Sequence, residues 1–200
     1  MKRLLTVAAF ALAALTISAQ DNYKFTIKAG VGLASVVGSD ADTKMKIAAK
    51  AGVAYDIKLY KGLYLIPEVD FALKGFNTET VNYITFDKVV HMVYLQAPIM
   101  AAYKFNLKDD KKIVVKAGPY FACGLFGSKV RVSNFFYSED VGVFDSDYGC
   151  RRFDIGICTG AAFERDHFTI GLEYSRGLHS IDPDFRQYNQ AFGIVLGYRF

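Results

Sequence analysis

Cysteine occurs only three times, at Cys123, Cys150 and Cys158. An odd set with no C-x-x-C pair excludes a disulfide framework and leaves nothing on which to build a zinc or thiol-redox motif. One or more of them are expected to be free thiols in a fold that does not depend on disulfides. Histidine is equally scarce, and His91, His167 and His179 show no H-E-x-x-H or other tight ligand spacing. No metal, cofactor or catalytic residue is therefore expected. An excess of one charge is also lacking: the net +4 falls to about +2 once Lys2 and Arg3 are set aside as part of a leader, 22 basic against 20 acidic residues. That balance excludes electrostatic nucleic-acid binding. Beyond the first 19 residues no apolar run approaches the ~20 residues of a spanning helix.

What is present begins with export. Lys2 and Arg3 precede an apolar run over 4–17, and Ser18-Ala19-Gln20 offers a small-residue cut. This is the pattern of a secretory signal peptide cleaved after Ala19. The run is too short for a membrane anchor, and no cysteine lies at the cut to carry a lipid. Residues 1–19 are read as the leader and 20–200 as one domain. The whole chain is 52% hydrophobic and rich in Tyr, Phe and Gly. An exported apolar chain without spanning helices must satisfy its backbone another way, and a closed β-barrel is the only alternative that crosses a bilayer.

Eight segments alternate as barrel strands do. In 22–37, Tyr23, Phe25, Ile27, Ala29, Val31 and Leu33 oppose Lys24, Thr26, Lys28, Gly30 and Gly32. The segments at 46–59, 62–76, 93–105, 112–127, 152–164, 168–175 and 192–200 repeat the rule, each with one apolar face and one face of charged or small residues. No apolar face carries a charge, and small inward residues suit a narrow eight-stranded lumen. Gly156 falls in the lumen phase, where Ala should be milder than Arg on the lipid face. Pro67 and Pro119 interrupt strands, and a local bulge is the expected accommodation. Short turns at 60–61, 106–111 and 165–167 alternate with longer connections at 38–44, 77–90, 128–150 and 177–190. Outer-membrane barrels have short periplasmic turns and longer external loops. Tyr23, Tyr55, Tyr103, Phe105, Phe163, Phe168, Tyr198 and Phe200 collect beside the short turns as an interfacial girdle. The expected fold is an all-β, eight-stranded antiparallel transmembrane barrel in the outer membrane of a Gram-negative cell, with membrane lipid as its surroundings.

Glu68-Val69-Asp70-Phe71-Ala72-Leu73-Lys74-Gly75, Tyr94-Leu95-Gln96-Ala97-Pro98, Ala117-Gly118-Pro119-Tyr120, Phe153-Asp154-Ile155-Gly156 and Gly197-Tyr198-Arg199-Phe200 together resemble the PorT-like outer-membrane β-barrel family of Bacteroidetes, and more loosely the OmpX/OmpA-type barrels. The resemblance implies the barrel fold and the outer membrane. The member that lends the family its name is linked to protein secretion and gliding. The final aromatic, Phe200, resembles the signal read by the barrel-assembly machinery during biogenesis.

Four constellations are candidates for chemistry. Lys28, Lys50, Asp56, Lys58, Glu68, Asp70, Lys74, Lys104, Lys116, Arg152, Asp154, Glu164, Glu173 and Arg199 share the lumen phase. They form either an ion path or a salt-bridged plug, and mixed signs in so narrow a space favour the plug. Phe135, Phe136 and Tyr137 in the third external connection either pack over the mouth or offer a binding surface to an envelope or extracellular protein. His179, Ser180, Asp182 and Asp184 cluster in the last loop, but adjacency alone supplies no nucleophile-to-base geometry. Asp145-Ser146-Asp147-Tyr148-Gly149 resembles half a calcium loop without its distal Glu. The expected function is therefore non-enzymatic: an outer-membrane barrel whose external loops bind, with envelope assembly or secretion as a role. Two alternatives stay open. One is a rim-site enzyme of acyltransferase or protease type, and the other is a soluble lipocalin-like barrel with its apolar face inward.

Overall fold

Alternating side chains are accommodated only in extended chain, where successive residues point to opposite faces. The structure is a computed structural model that describes residues 24–38, 43–78, 89–134, 137–144, 150–181 and 186–200. The leader at 1–19 lies outside them. The strands are β1 (Phe25–Gly38), β2 (Thr43–Lys44), β3 (Lys46–Tyr55), β4 (Ile57–Tyr60), β5 (Leu63–Thr78), β6 (Val89–Asn106), β7 (Lys111–Gly127), β8 (Lys129–Asn134), β9 (Tyr137–Gly142), β10 (Phe153–Arg165), β11 (Phe168–Gly177) and β12 (Gln187–Arg199). No helix among the described residues is long and apolar enough to cross a membrane.

Every wall strand pairs antiparallel with its neighbours in the chain, in the order β1, β3, β5, β6, β7, β10, β11, β12. β2 and β4 pair with β5 and extend the position of β3 at either end. The circle closes where β12 returns to β1, in unbroken register from Thr26↔Arg199 to Gly38↔Gln187. Closure leaves no sheet edge in the wall, which a bilayer requires. The N–H of Phe200 donates to Phe25 O at 2.7 Å, and the two rings lie 6.3 Å apart. β8 and β9 form a separate two-stranded hairpin within the 128–150 connection, where the sequence pattern predicts a loop.

The short turns hold the left-handed residues. Lys61, Asp109, Asp110 and Asp166 have φ of 35°, 59°, 52° and 50°. Asp tolerates this region because its side chain bonds locally to the backbone. Gly75 has φ of +149°, and a Cβ there would lie 1.9 Å from Val90 O, so only glycine fits.

The prolines behave differently from expectation. A bulge would shift the register, yet it is unchanged across each one. At Pro67 the pairing with β3 and β4 stops at Ala54↔Glu68 and resumes at Ile57↔Leu65. The ladder likewise jumps from Pro67↔Ile99 to Asp70↔Gln96 beside Pro98, and from Pro98↔Tyr120 to Ala101↔Ala117 beside Pro119. Each proline omits pairings on one side, where its missing N–H belongs, and keeps its partner on the other. The register shifts themselves fall elsewhere, at Lys58/Tyr60 and Val93/Tyr94.

Burial decides which phase is inside. Asp70 and Asp154 are 0% exposed, while Ile47 and Phe153 are 74% and 70% exposed. The apolar face looks outward and the charges inward. This corrects the lipocalin alternative, which needs the opposite arrangement.

Candidate functional site

Inward phase brings charged residues from distant strands into one narrow space, where each must find a partner to offset its desolvation. Twelve of the fourteen lumen candidates do so, in three layers. Near the short turns lies a closed ring of four. Lys104 pairs with Asp56 and, at 2.8 Å, with Glu164; Arg199 pairs with Glu164 at 2.9 Å and Asp56 at 3.4 Å. The Tyr64 ring caps Lys104 Nζ at 4.9 Å.

The middle layer is a closed ring of six with alternating sign. Lys28 pairs with Glu68, Glu68 with Lys116 at 2.7 Å and Lys116 with Glu173 at 2.7 Å. Glu173 then pairs with Lys50, Lys50 with Asp70 at 3.7 Å, and Asp70 with Lys28 at 3.0 Å. Each member bridges two of opposite sign, supplied by β1, β3, β5, β7 and β11.

The third layer, toward the long loops, is less symmetric. Lys74 Nζ stands 4.0 Å from Asp154 and over the rings of Tyr120 at 4.7 Å and Tyr94 at 5.6 Å. Asp154 Oδ2 accepts from Tyr120 OH and from Asn189 Nδ2, both at 2.9 Å. Among the described residues Lys74 Nζ, Gln96 Oε1 and the Oδ1 atoms of Asp70 and Asp154 have no hydrogen-bond partner. A cavity of about 60 Å³ adjoins Lys74 and Gln96 and is lined also by Lys50, Cys158 and Glu173. That is room for a few waters. Each layer is separately neutral, six cations against six anions in all.

Two candidates are corrected. Lys58 and Arg152 share the lumen phase but are exposed. Lys58 sits in β4 beside a short turn, past the end of the filled interior. Arg152 precedes β10 at the mouth, where its guanidinium lies 5.5 Å from the Phe144 ring centre and Nη1 donates to Gly124 O at 3.3 Å. At Gly156 a Cβ would meet Arg176 O at 2.1 Å and the Tyr120 ring at 2.5 Å, so even Ala is crowded there.

Above the third layer the mouth is covered by apolar side chains. Phe144 packs edge-on against Tyr94, ring centres 5.6 Å apart. Val36, Val90, Met92, Val143 and Ile181 join the same buried cluster. Backbone bonds hold the cover: Val143 N–H to Ser128 O at 3.1 Å, Cys150 N–H to Val143 O at 2.7 Å and Arg151 N–H to Ile181 O at 2.6 Å. Sequence reading missed Phe144 and Ile181, since a residue folded inward from a loop carries no periodic signal. It also missed Tyr94, Asn189 and Lys46, which do sit in the lumen phase of their strands. Lys46 Nζ donates to Val90 O at 3.0 Å and contacts His91 Nδ1.

The loop candidates divide. Phe135, Phe136, the 145–149 stretch, Asp182 and Asp184 lie outside the described residues, and Tyr137 opens β9. His179 Nε2 faces Arg151 Nη1 at 3.2 Å, and Ser180 Oγ accepts from Gln187 N–H at 3.1 Å. Among the described residues no group of three His, Cys, Asp or Glu is placed to hold a metal ion. Cys123 and Cys158 are free thiols.

A closed wall, an outward apolar belt and a filled ionic lumen define a small transmembrane β-barrel of the outer membrane. Residues 18–182 match the outer membrane protein beta-barrel domain, and the chain belongs to that family. No curated protein matches its sequence. Neisserial surface protein A shares the fold with a TM-score of 0.52 at 12% identity, over 88% of this chain and 97% of that one. The outer membrane enzyme PagL does so with 0.55 at 10% identity, over 88% and 99%. The Ail protein of Yersinia pestis aligns at 0.44 and 16% identity, over 90% and 100%. At such identities the likeness establishes the fold alone, and a surface protein and an enzyme both wear it.

Proposed function

We propose that this barrel is a non-conducting, non-enzymatic outer-membrane scaffold whose external segments bind an envelope or extracellular protein. The observation that carries this reading is the layered lumen. Two closed ion-pair rings cross it and an apolar cover lies over its mouth, so neither an ion path nor an open substrate cleft is offered. Recognition then falls to the segments outside the wall, foremost the β8–β9 hairpin, which pairs with no barrel strand. Loops on a rigid scaffold are where recognition concentrates. His179 and Ser180 are engaged in loop contacts, which supports the non-enzymatic reading over a rim-site acyltransferase or protease. Kinship with the PorT-like branch rests on the strand motifs quoted above, and a part in envelope assembly or secretion follows from that kinship. Outward Tyr198 and terminal Phe200 fit delivery by the barrel-assembly machinery.

The test keeps the cover intact. Ser128 O and Val143 N–H are hydrogen-bonded, so residues 130–141 can be replaced by a two-residue Asn-Gly turn. Partners captured from cell envelopes by the tagged wild type should be lost with the shortened protein, while folding persists. Retention of every partner refutes the hairpin as the binding element. Steady single-channel currents from purified wild type in planar bilayers refute the sealed lumen.

A further inference from the structure

Every lysine of the two lumen rings touches two carboxylates, but Lys74 reaches only one. Its Nζ stands 4.0 Å from Asp154 Oδ2 and, among the described residues, makes no hydrogen bond. The Lys74 side chain is 4% exposed and that of Asp154 is 0% exposed. Beyond that carboxylate Nζ faces the rings of Tyr120 and Tyr94. An ammonium ion with so little compensation is costly in a dry interior. Passing one proton from Nζ to the carboxyl group leaves a neutral amine beside a neutral acid and removes that cost.

The surroundings of Asp154 suit attack by that amine. Tyr120 OH and Asn189 Nδ2 both donate to Oδ2 at 2.9 Å, so two fixed donors converge on one carboxyl oxygen. Donors so placed stabilise the negative charge that a tetrahedral intermediate puts on that oxygen. Oδ1 has no hydrogen-bond partner among the described residues, and a Cβ at Gly177 would lie 2.8 Å from it, so glycine keeps that side open. We propose that Lys74 and Asp154 condense into an intramolecular isopeptide bond that ties β5 to β10, two strands that share no ladder. The Nζ lone pair attacks Cγ to form the C–N bond, and Oδ2 takes the charge under Tyr120 and Asn189. A proton passes from Nζ to the Oδ1 hydroxyl, the Cγ–Oδ1 bond breaks, and one water leaves into the cavity that adjoins Lys74. Nothing is oxidised or reduced, and the layer stays neutral. Holding amine and acid side by side makes the step unimolecular.

Mass spectrometry of the intact protein, extracted from outer membranes, reads the bond directly. Wild type should be lighter than the mass calculated for the same chain by one water, and its digest should contain a branched peptide joined at Lys74 and Asp154. K74R, which keeps the charge but not the amine, should show the full calculated mass and no branched peptide. Y120F and N189A keep both reacting groups, and each should slow formation of the bond after refolding into lipid vesicles by roughly a hundredfold. An ion pair alone would give none of these signals. Circular dichroism checks folding; if K74R does not fold, the branched peptide of wild type decides by itself. Folded wild type at its full calculated mass, with no branched peptide, overturns the proposal. A branched peptide joined at any other pair of residues overturns the assignment to Lys74 and Asp154, and unchanged rates in both Y120F and N189A overturn the part given to the two donors.

Discussion

Replacing Glu173 by Gln opens the ring of six and leaves three lysines facing two carboxylates. Lys116 keeps Glu68 at 2.7 Å, but Lys50 keeps only Asp70 at 3.7 Å. Breaking a buried pair costs about 3–5 kcal/mol. The Lys50 side chain is 21% exposed, so about 3 kcal/mol is the appropriate end. Lys50→Met removes the cation instead, and Asp70 and Glu173 each retain one lysine, at 3.0 and 2.7 Å. Its cost should be smaller, about 1–3 kcal/mol, as for a partly satisfied buried acceptor. Lys50→Met with Glu173→Gln restores neutrality and should cost clearly less than the sum, a coupling of about 1–3 kcal/mol. Urea unfolding from lipid vesicles, followed by the backbone dichroism because the chain has no tryptophan, measures all three. Single costs under about 1 kcal/mol that simply add would falsify the sealed ring, since only a screened, water-filled lumen behaves so.

On the lipid face, Leu172→Arg, midway along β11, should cost about 2–4 kcal/mol in bilayer refolding, with Leu172→Phe near neutral; equal tolerance of both contradicts the orientation. Gly156→Ala should destabilise by about 1–3 kcal/mol through overpacking against Arg176 O and Tyr120, read as a lowered urea midpoint, and a midpoint equal to wild type refutes that fit. Phe144→Ala should loosen the cover and speed alkylation of Cys150 by an impermeant maleimide several-fold in a Cys123→Ser, Cys158→Ser background, because Cys150 packs against the same cluster. An unchanged rate refutes the cover.

Local pattern and tertiary closure contributed different things. Period-two alternation marked the eight wall strands and put Lys28, Glu68, Lys116 and Glu173 on one face, because in extended chain the facing of a side chain is a local property. The short gaps between the alternating segments marked the turns, where the structure places Lys61, Asp109, Asp110 and Asp166 in the left-handed region. Alternation is symmetric between its two phases, however, so which one faced lipid was decided only when the strands closed. Closure likewise chose partners: Lys50 and Glu173 are 123 positions apart, and nothing local foretells that they meet. The prolines, read one strand at a time, suggested bulges, but only the neighbouring strand shows that omitting ladder pairs suffices. Lys58 and Arg152 had the correct phase but the wrong height, since phase says nothing of where the interior ends. Phe144 and Ile181 had no phase at all, because they fold inward from loops, and their burial exists only once the mouth they cover has been built.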